Sequence, residues 1–231
     1  MKSIKTLAIA LCAGLVMVGC NNLQKGAAIG AGGGAILGAV IGKIAGNTAI
    51  GAAVGGAVGA GAGAIIGKKM DKAKAEAQAV QNAQFESVTD ANGLQAVKVT
   101  FDSGILFTTG SSTLSSTAKN SLTQFSNVLK GNADCDVAVQ GYTDNAGWKN
   151  STAEQSQQKN LNLSQQRAQA VTNYLQSLGV SSTQIRSTTG FGEANPVADN
   201  STAAGKAQNR RVEVYMYASQ KMIQEAEAQA N

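Results

Sequence analysis

The chain has 231 residues, 27 of them Gly and one Pro, with aromatic residues at 4%. It holds no His, which removes the commonest general base and zinc ligand. The formal charge of +5 forms no Lys/Arg stripe with interleaved aromatics, which argues against nucleic acid, and three cysteines are too few for a disulfide framework.

Residues 1–19 place Lys2 and Lys5 before an apolar run from Leu7 to Val18, the pattern of a secretory signal rather than a spanning helix. Met17-Val18-Gly19-Cys20 resembles a bacterial lipobox. The resemblance implies cleavage before Cys20, with lipid on its sulfur and on its new amino group. Several acyl chains anchor stably where one does not. Asn21 rather than Asp follows the Cys, so the signal that keeps many lipoproteins at the inner membrane is absent. Residues 20–25 then form a lipidated N-terminus.

Residues 26–67 repeat glycine every fourth position, at 26, 30, 34, 38, 42 and 46 and again at 51, 55, 59, 63 and 67. The register slips once, across Gly46-Asn47-Thr48-Ala49-Ile50, a turn signal. Small residues every fourth position let two helices approach closely in lipid. Each arm is about 20 residues, the length of a membrane span. Lys25 before the first arm and Lys68-Lys69 after the second put both ends on one side. The expectation is a glycine-zipper membrane hairpin with the capacity to self-associate. A flexible Gly/Ala linker is the competing reading; the interleaved Ile and Val oppose it, and Lys43 inside the first arm opposes spanning.

Residues 68–84 are rich in Ala, Gln, Lys and Glu and predict a polar helical stalk. A globular domain is expected over 85–218. Short strands over 85–89 and 94–101 are joined by Asp90-Ala91-Asn92-Gly93, a hairpin signal. A helix near 115–130 aligns Ala118, Leu122, Phe125 and Leu129, and Gly131 ends it. A strand over 135–142 follows, then a polar loop, then a helix ending at Leu178 with Gly179 as its stop. Residues 185–191 form a weaker strand and 212–217 the last one; the tail 219–231 is helix-prone. Strands alternating with helices give an α+β fold, a βαβαβ sheet with helices on one face. Cys135, entering a strand, reads as a small buried apolar side chain.

The strand at 135–142 leads into Thr143-Asp144, and Arg167 lies in the first turns of the next helix. A strand end and the next helix start are neighbours in a βα unit. Asp144 and Arg167 can therefore face one small space, one accepting from an ammonium and the other clasping a carboxylate. The alternative is a surface salt bridge between the two, which is common and worth little. Spacing alone leaves both readings open.

Four motifs in order carry a resemblance. They are Gly141-Tyr142-Thr143-Asp144 with Gly147, Asn160-Leu161-Asn162-Leu163-Ser164-Gln165-Gln166-Arg167-Ala168, Gly190-Phe191-Gly192-Glu193-Ala194-Asn195-Pro196, and Asn209-Arg210-Arg211-Val212-Glu213. Together they resemble the peptidoglycan-binding OmpA-like domain. The resemblance implies a mixed sheet covered by helices on one face. It also implies noncovalent binding of diaminopimelate in the cell-wall stem peptide, without cofactor or metal. By motif position Asp144 takes the ligand's ammonium and Arg167 its carboxylate, while Thr143, Asn160 and Arg210 complete the pocket. Arg210 rather than Arg211 follows from the family. The segment 148–159 is longer than the family usually has and is expected to be a loop extension. The turn-rich stretch 191–208 is expected to form an ordinary loop or a lid beside Arg210.

The reading that results is a non-enzymatic lipoprotein of the bacterial outer membrane, its globular domain in the periplasm. It binds outer-membrane lipid through Cys20 and peptidoglycan through the domain, tethering one to the other. A second reading makes the glycine arms a membrane-perturbing or pore-forming element, with the domain as a tether.

Overall fold

Period-two alternation in the five apolar runs builds a five-stranded sheet, and the amphipathic segments between them cover one of its faces. The computed structural model describes residues 58–90 and 93–230. The leader, Cys20 and the glycine repeat through residue 57 lie outside the described residues. The elements in order are α1 (Ala60–Ala77), β1 (Ala83–Thr89), β2 (Gln95–Asp102), α2 (Ser103–Leu106), α3 (Ser116–Gly131), β3 (Cys135–Gly141), α4 (Ala153–Ser177), β4 (Ile185–Gly190), α5 (Ala203–Asn209), β5 (Arg211–Ala218) and α6 (Gln220–Ala230).

The strand order is β1-β2-β5-β3-β4. β3 and β4 are parallel and joined by α4, a βαβ unit, while every other pairing is antiparallel. The last strand therefore inserts between β2 and β3. Val97, Val99, Phe101, Val137, Val139, Val212, Val214 and Met216 face the helices and are buried. Against them pack Leu122, Phe125 and Leu129 of α3 and Val171 and Leu175 of α4. Each such side chain contributes about 1.5–3 kcal/mol when buried. The mixed α+β sheet expected from the sequence is the one observed.

Two long segments differ from the sequence reading, and the turn-rich stretch 191–208, expected as a loop or a lid, also holds the short helix α5 from Ala203 onward. The helix expected as a stalk over 68–84 begins at Ala60 and ends at Ala77, and Ala83 already starts β1. Its buried residues are Ala62, Ile66, Met70, Ala73 and Ala77, a stripe at helical spacing within a sequence that looks polar overall. Ile66 and Met70 are completely buried in the main core. The C-terminal helix α6 lies beside α1; a Cβ added at Gly61 would sit 2.9 Å from the Ala230 Cβ, so glycine permits that approach. Lys69, read as a flank of the membrane arm, pairs with Asp134 at 2.7 Å. Among the described residues no helix is long and apolar enough to cross a membrane.

The second difference is the segment 148–159. Its latter half is helix, because α4 starts at Ala153. A capping box explains the start: Gln155 N donates to Thr152 Oγ1, and Thr152 N donates to Gln155 Oε1. α4 then crosses the ends of β3 and β4 in direct backbone contact. A Cβ at Gly141 would overlap the Ser164 carbonyl oxygen, and one at Gly190 would overlap Gln165 N. Glycine at both strand ends is what lets the helix lie that close.

Candidate functional site

Close contact between α4 and the end of β3 brings the two halves of the predicted pair to one place. A cavity of about 490 Å³ is lined by Thr143, Asp144, Asn160, Arg167 and Arg210, together with Ser103, Phe107, Trp148 and Lys149. All five residues named from the sequence as pocket residues line it. Thr143 and Asp144 come from the loop after β3, Asn160 and Arg167 from positions about two turns apart on one face of α4, and Arg210 from the junction of α5 and β5.

Arg210 arrives through the sheet order. β5 pairs with β3 so that Val212 faces Gly141, and Tyr142 N donates to Arg211 O at 2.9 Å. Its guanidinium Nη1 donates to Asp144 Oδ2 at 2.5 Å. The other oxygen, Oδ1, accepts from Ala146 N at 3.0 Å, which holds the loop tight around the carboxylate. The Asp144 side chain is 8% exposed and Arg210 is 39% exposed, so the pair sits with its acid in the wall and its base at the mouth. Asp144 thus pairs with Arg210 and not with Arg167, and the surface-bridge alternative between Asp144 and Arg167 does not describe the site.

Arg167 is buried and held by its stem. Nε donates to Ser111 O at 3.0 Å, and the guanidinium carbon lies 5.1 Å from the Phe107 ring centre. Its Nη nitrogens have no hydrogen-bond partner among the described residues. A planar fork left open in this way suits a carboxylate. Burial lowers the Arg167 pKa, the nearby Arg210 charge lowers it further, and Asp144 opposes both. A second carboxylate arriving in the cavity would relieve that strain on the charge. Two hydroxyls of the lining, Thr143 Oγ1 and Ser103 Oγ, are buried without a partner. A buried polar atom left in that state costs about 1–3 kcal/mol.

Asn160 braces the loop. Its Nδ2 donates to Ala146 O at 3.1 Å and to Asp144 O at 3.5 Å, and its Oδ1 accepts from Trp148 Nε1 at 2.8 Å. Asn160 is therefore a positioning group for Asp144 as well as part of the lining. Asn209, fully buried, pins the loop before Arg210: Oδ1 accepts from Val197 N and Ala198 N, and Nδ2 donates to Ala198 O and Asn200 Oδ1.

Arg211 points to the opposite face of the sheet, as alternation along a strand requires. There Nε donates to Glu213 Oε1 at 2.7 Å, and the guanidinium carbon stands 3.8 Å from the Tyr142 ring centre. Tyr142 in turn stacks on Phe191. Glu193 lines a separate cleft and does not meet Asp144. Sequence reasoning did not name Ser103, Phe107, Ser111 or Trp148. The first three belong to a different part of the chain from the motifs; Trp148 had one available signal, as the chain's single Trp close after Asp144.

Residues 106–210 match the OmpA family model, and residues 1–71 match the YMGG-like Gly-zipper model. Over 116 residues the chain is 47% identical to the probable lipoprotein YiaD of Escherichia coli, covering 50% of this chain and 46% of that protein. It is 42% identical over 93 residues to the peptidoglycan-binding protein ArfA of Mycobacterium tuberculosis, covering 40% of this chain and 26% of that one. The chain thus spans half or less of the length of these relatives. A MotB-like protein from Desulfovibrio vulgaris shares the fold, with a TM-score of 0.57 at 20% identity over 68% of this chain and 96% of that one. The cell wall anchor of the T6SS from Pseudomonas aeruginosa aligns with a TM-score of 0.52 at 26% identity, covering 65% and 97% of the two chains. Residues 106–210 are thus similar to the OmpA family, and residues 1–71 to the YMGG-like Gly-zipper family.

Proposed function

We propose that this protein binds peptidoglycan noncovalently by gripping the free zwitterionic end of a diaminopimelate residue in the stem peptide. Asp144 accepts from the ammonium. Arg167, with Arg210 beside it, clasps the carboxylate, and Thr143 supplies a hydroxyl to the same group of contacts. Cys20, lipidated, anchors the other end of the chain in the outer membrane, so the protein tethers membrane to wall from the periplasmic side. The observation that carries this reading is the convergence of one carboxylate and two guanidiniums, from three separate elements, on a single cavity. The names of the relatives, one a lipoprotein and one peptidoglycan-binding, support it. A pore needs the whole second glycine arm in lipid, whereas residues from Ala60 onward lie in a helix docked on the domain. That docking favours the tether.

The test is co-sedimentation of the detergent-solubilised full chain with purified sacculi. The start of α1 must be kept, since Ile66 and Met70 are core residues. Asp144→Ala and Arg167→Ala should each weaken binding at least tenfold while keeping the far-UV spectrum. Unchanged binding by both variants would remove the pocket from the mechanism.

A further inference from the structure

Beside the zwitterion cavity lies a second cleft of about 500 Å³, and the two share Gly147. The second is lined by Asn145, Ser151, Thr152, Gln157 and Glu193 among others. It is a product of the extended segment 148–159, which the binding scheme above leaves without a role. We propose that this cleft holds the main chain of the stem peptide next to the diamino acid whose free end occupies the first cavity. The inference rests on the zwitterion reading and extends it to the polymer.

Geometry supports the pairing of the two sites. Asn160 belongs to the first cavity and Ser156 to the second. Four residues along a helix are about 6 Å. The free end of diaminopimelate is separated from its own main-chain carbon by four C–C bonds, a span of about 5 Å when extended. A zwitterion seated against Asp144 and Arg167 therefore delivers its peptide backbone about one helical turn away.

The lining has the chemistry a peptide backbone needs. Each amide unit brings one donor and one acceptor. Asn145 and Gln157 each carry both, and Glu193 accepts. Among the described residues these three side chains have no hydrogen-bond or ion-pair partner, so they are available without breaking the fold. The Thr152 hydroxyl, by contrast, is used by the helix cap. The wall between the sites is fixed in place: Trp148 N donates to Ser156 Oγ at 3.0 Å, Trp148 Nε1 donates to Asn160 Oδ1, and Lys159 Nζ donates to Ser151 Oγ at 2.8 Å. A cleft already rigid loses little on ordering when the peptide arrives.

The experiment is calorimetry on the full chain in detergent with two probes, free diaminopimelate and a tripeptide carrying it at an internal position. The wild type should bind the tripeptide at least tenfold more tightly. Asn145→Ala/Gln157→Ala should lose that gain while keeping its affinity for free diaminopimelate, which also serves as its folding control. Equal affinity of the wild type for both probes overturns the inference and leaves the zwitterion reading standing. A double variant that keeps the gain, or that loses both probes together, overturns it too. If the wild type binds neither probe, the zwitterion reading fails first.

Discussion

Replacing Asp144 by Asn removes one negative charge from a cavity that otherwise holds Arg167, Arg210 and, at the rim, Lys149. Asn keeps an oxygen that can accept from Ala146 N, so the loop retains its turn. Arg210 loses an ion partner at a mouth where it is 39% exposed, and water replaces much of that contact. Stability should therefore change by about 1 kcal/mol or less. Binding is affected differently, because the ligand's ammonium then meets guanidiniums with no carboxylate among them. Truncating one partner of a desolvated charge pair costs about 2–5 kcal/mol. The partly open mouth favours the lower end, about 2 kcal/mol, or roughly 30-fold in affinity. The informative assay compares a tripeptide bearing the free ammonium with its N-acetylated form. The wild type should prefer the free ammonium at least tenfold, and Asp144→Asn should show no preference. A variant that still discriminates against the acetylated ligand would refute the assignment of Asp144 to the ammonium, whatever its absolute affinity.

Other expectations concern the frame that holds the site. Glu213→Ala leaves Arg211 buried without its carboxylate and should cost about 3–5 kcal/mol, a drop of roughly 10 °C in Tm by calorimetry; a loss below about 1 kcal/mol would mean that the Asn209 and Asn195 carbonyls satisfy Arg211 by themselves. Gly190→Ala forces a Cβ against the α4 backbone and should lower stability by about 1–3 kcal/mol in urea titrations, with peptide affinity falling because α4 carries Arg167. A variant as stable as the wild type would show that α4 can shift freely. Burial pushes the Cys135 thiol from 9.0 up to about 12, so site-resolved mass spectrometry should find it unalkylated at pH 8 in the folded chain and labelled in denaturant. The folded thiol keeps its proton while the unfolded one loses it from about pH 9 upward. This group's contribution to stability is therefore whole below pH 9 and disappears as the pH approaches 12. Rapid labelling at pH 8 without denaturant would contradict the burial.

Much of the site was legible because it is local. Asp144 follows its strand by a few residues, and Asn160 and Arg167 lie seven residues apart on the next helix, about two turns, so helix periodicity puts both on one face. The helix 153–159 was missed because its polar residues carry no apolar stripe; a capping box starts it, and Ser156 packs against Trp148. The docked helix α1 was missed for a related reason. Its buried stripe runs across the boundary between the glycine repeat and the Lys/Ala/Glu-rich stretch, so neither half looks amphipathic alone. Ser103 and Phe107 were out of reach because they enter the cavity from the far side of the sheet's connectivity.

The sequence by itself determined the five strands, the apolar faces of the two long helices that cover them, and the motif carboxylate and guanidiniums, since each depends on neighbours within a turn or two. Only the tertiary structure decided which charge meets which. Arg210 reaches Asp144, 66 positions earlier, because β5 slots between β2 and β3 and sets its first residues against the end of β3. No local periodicity encodes that insertion; it comes from the burial of Val212, Val214 and Met216 at the centre of the sheet, where both flanking strands can be satisfied at once.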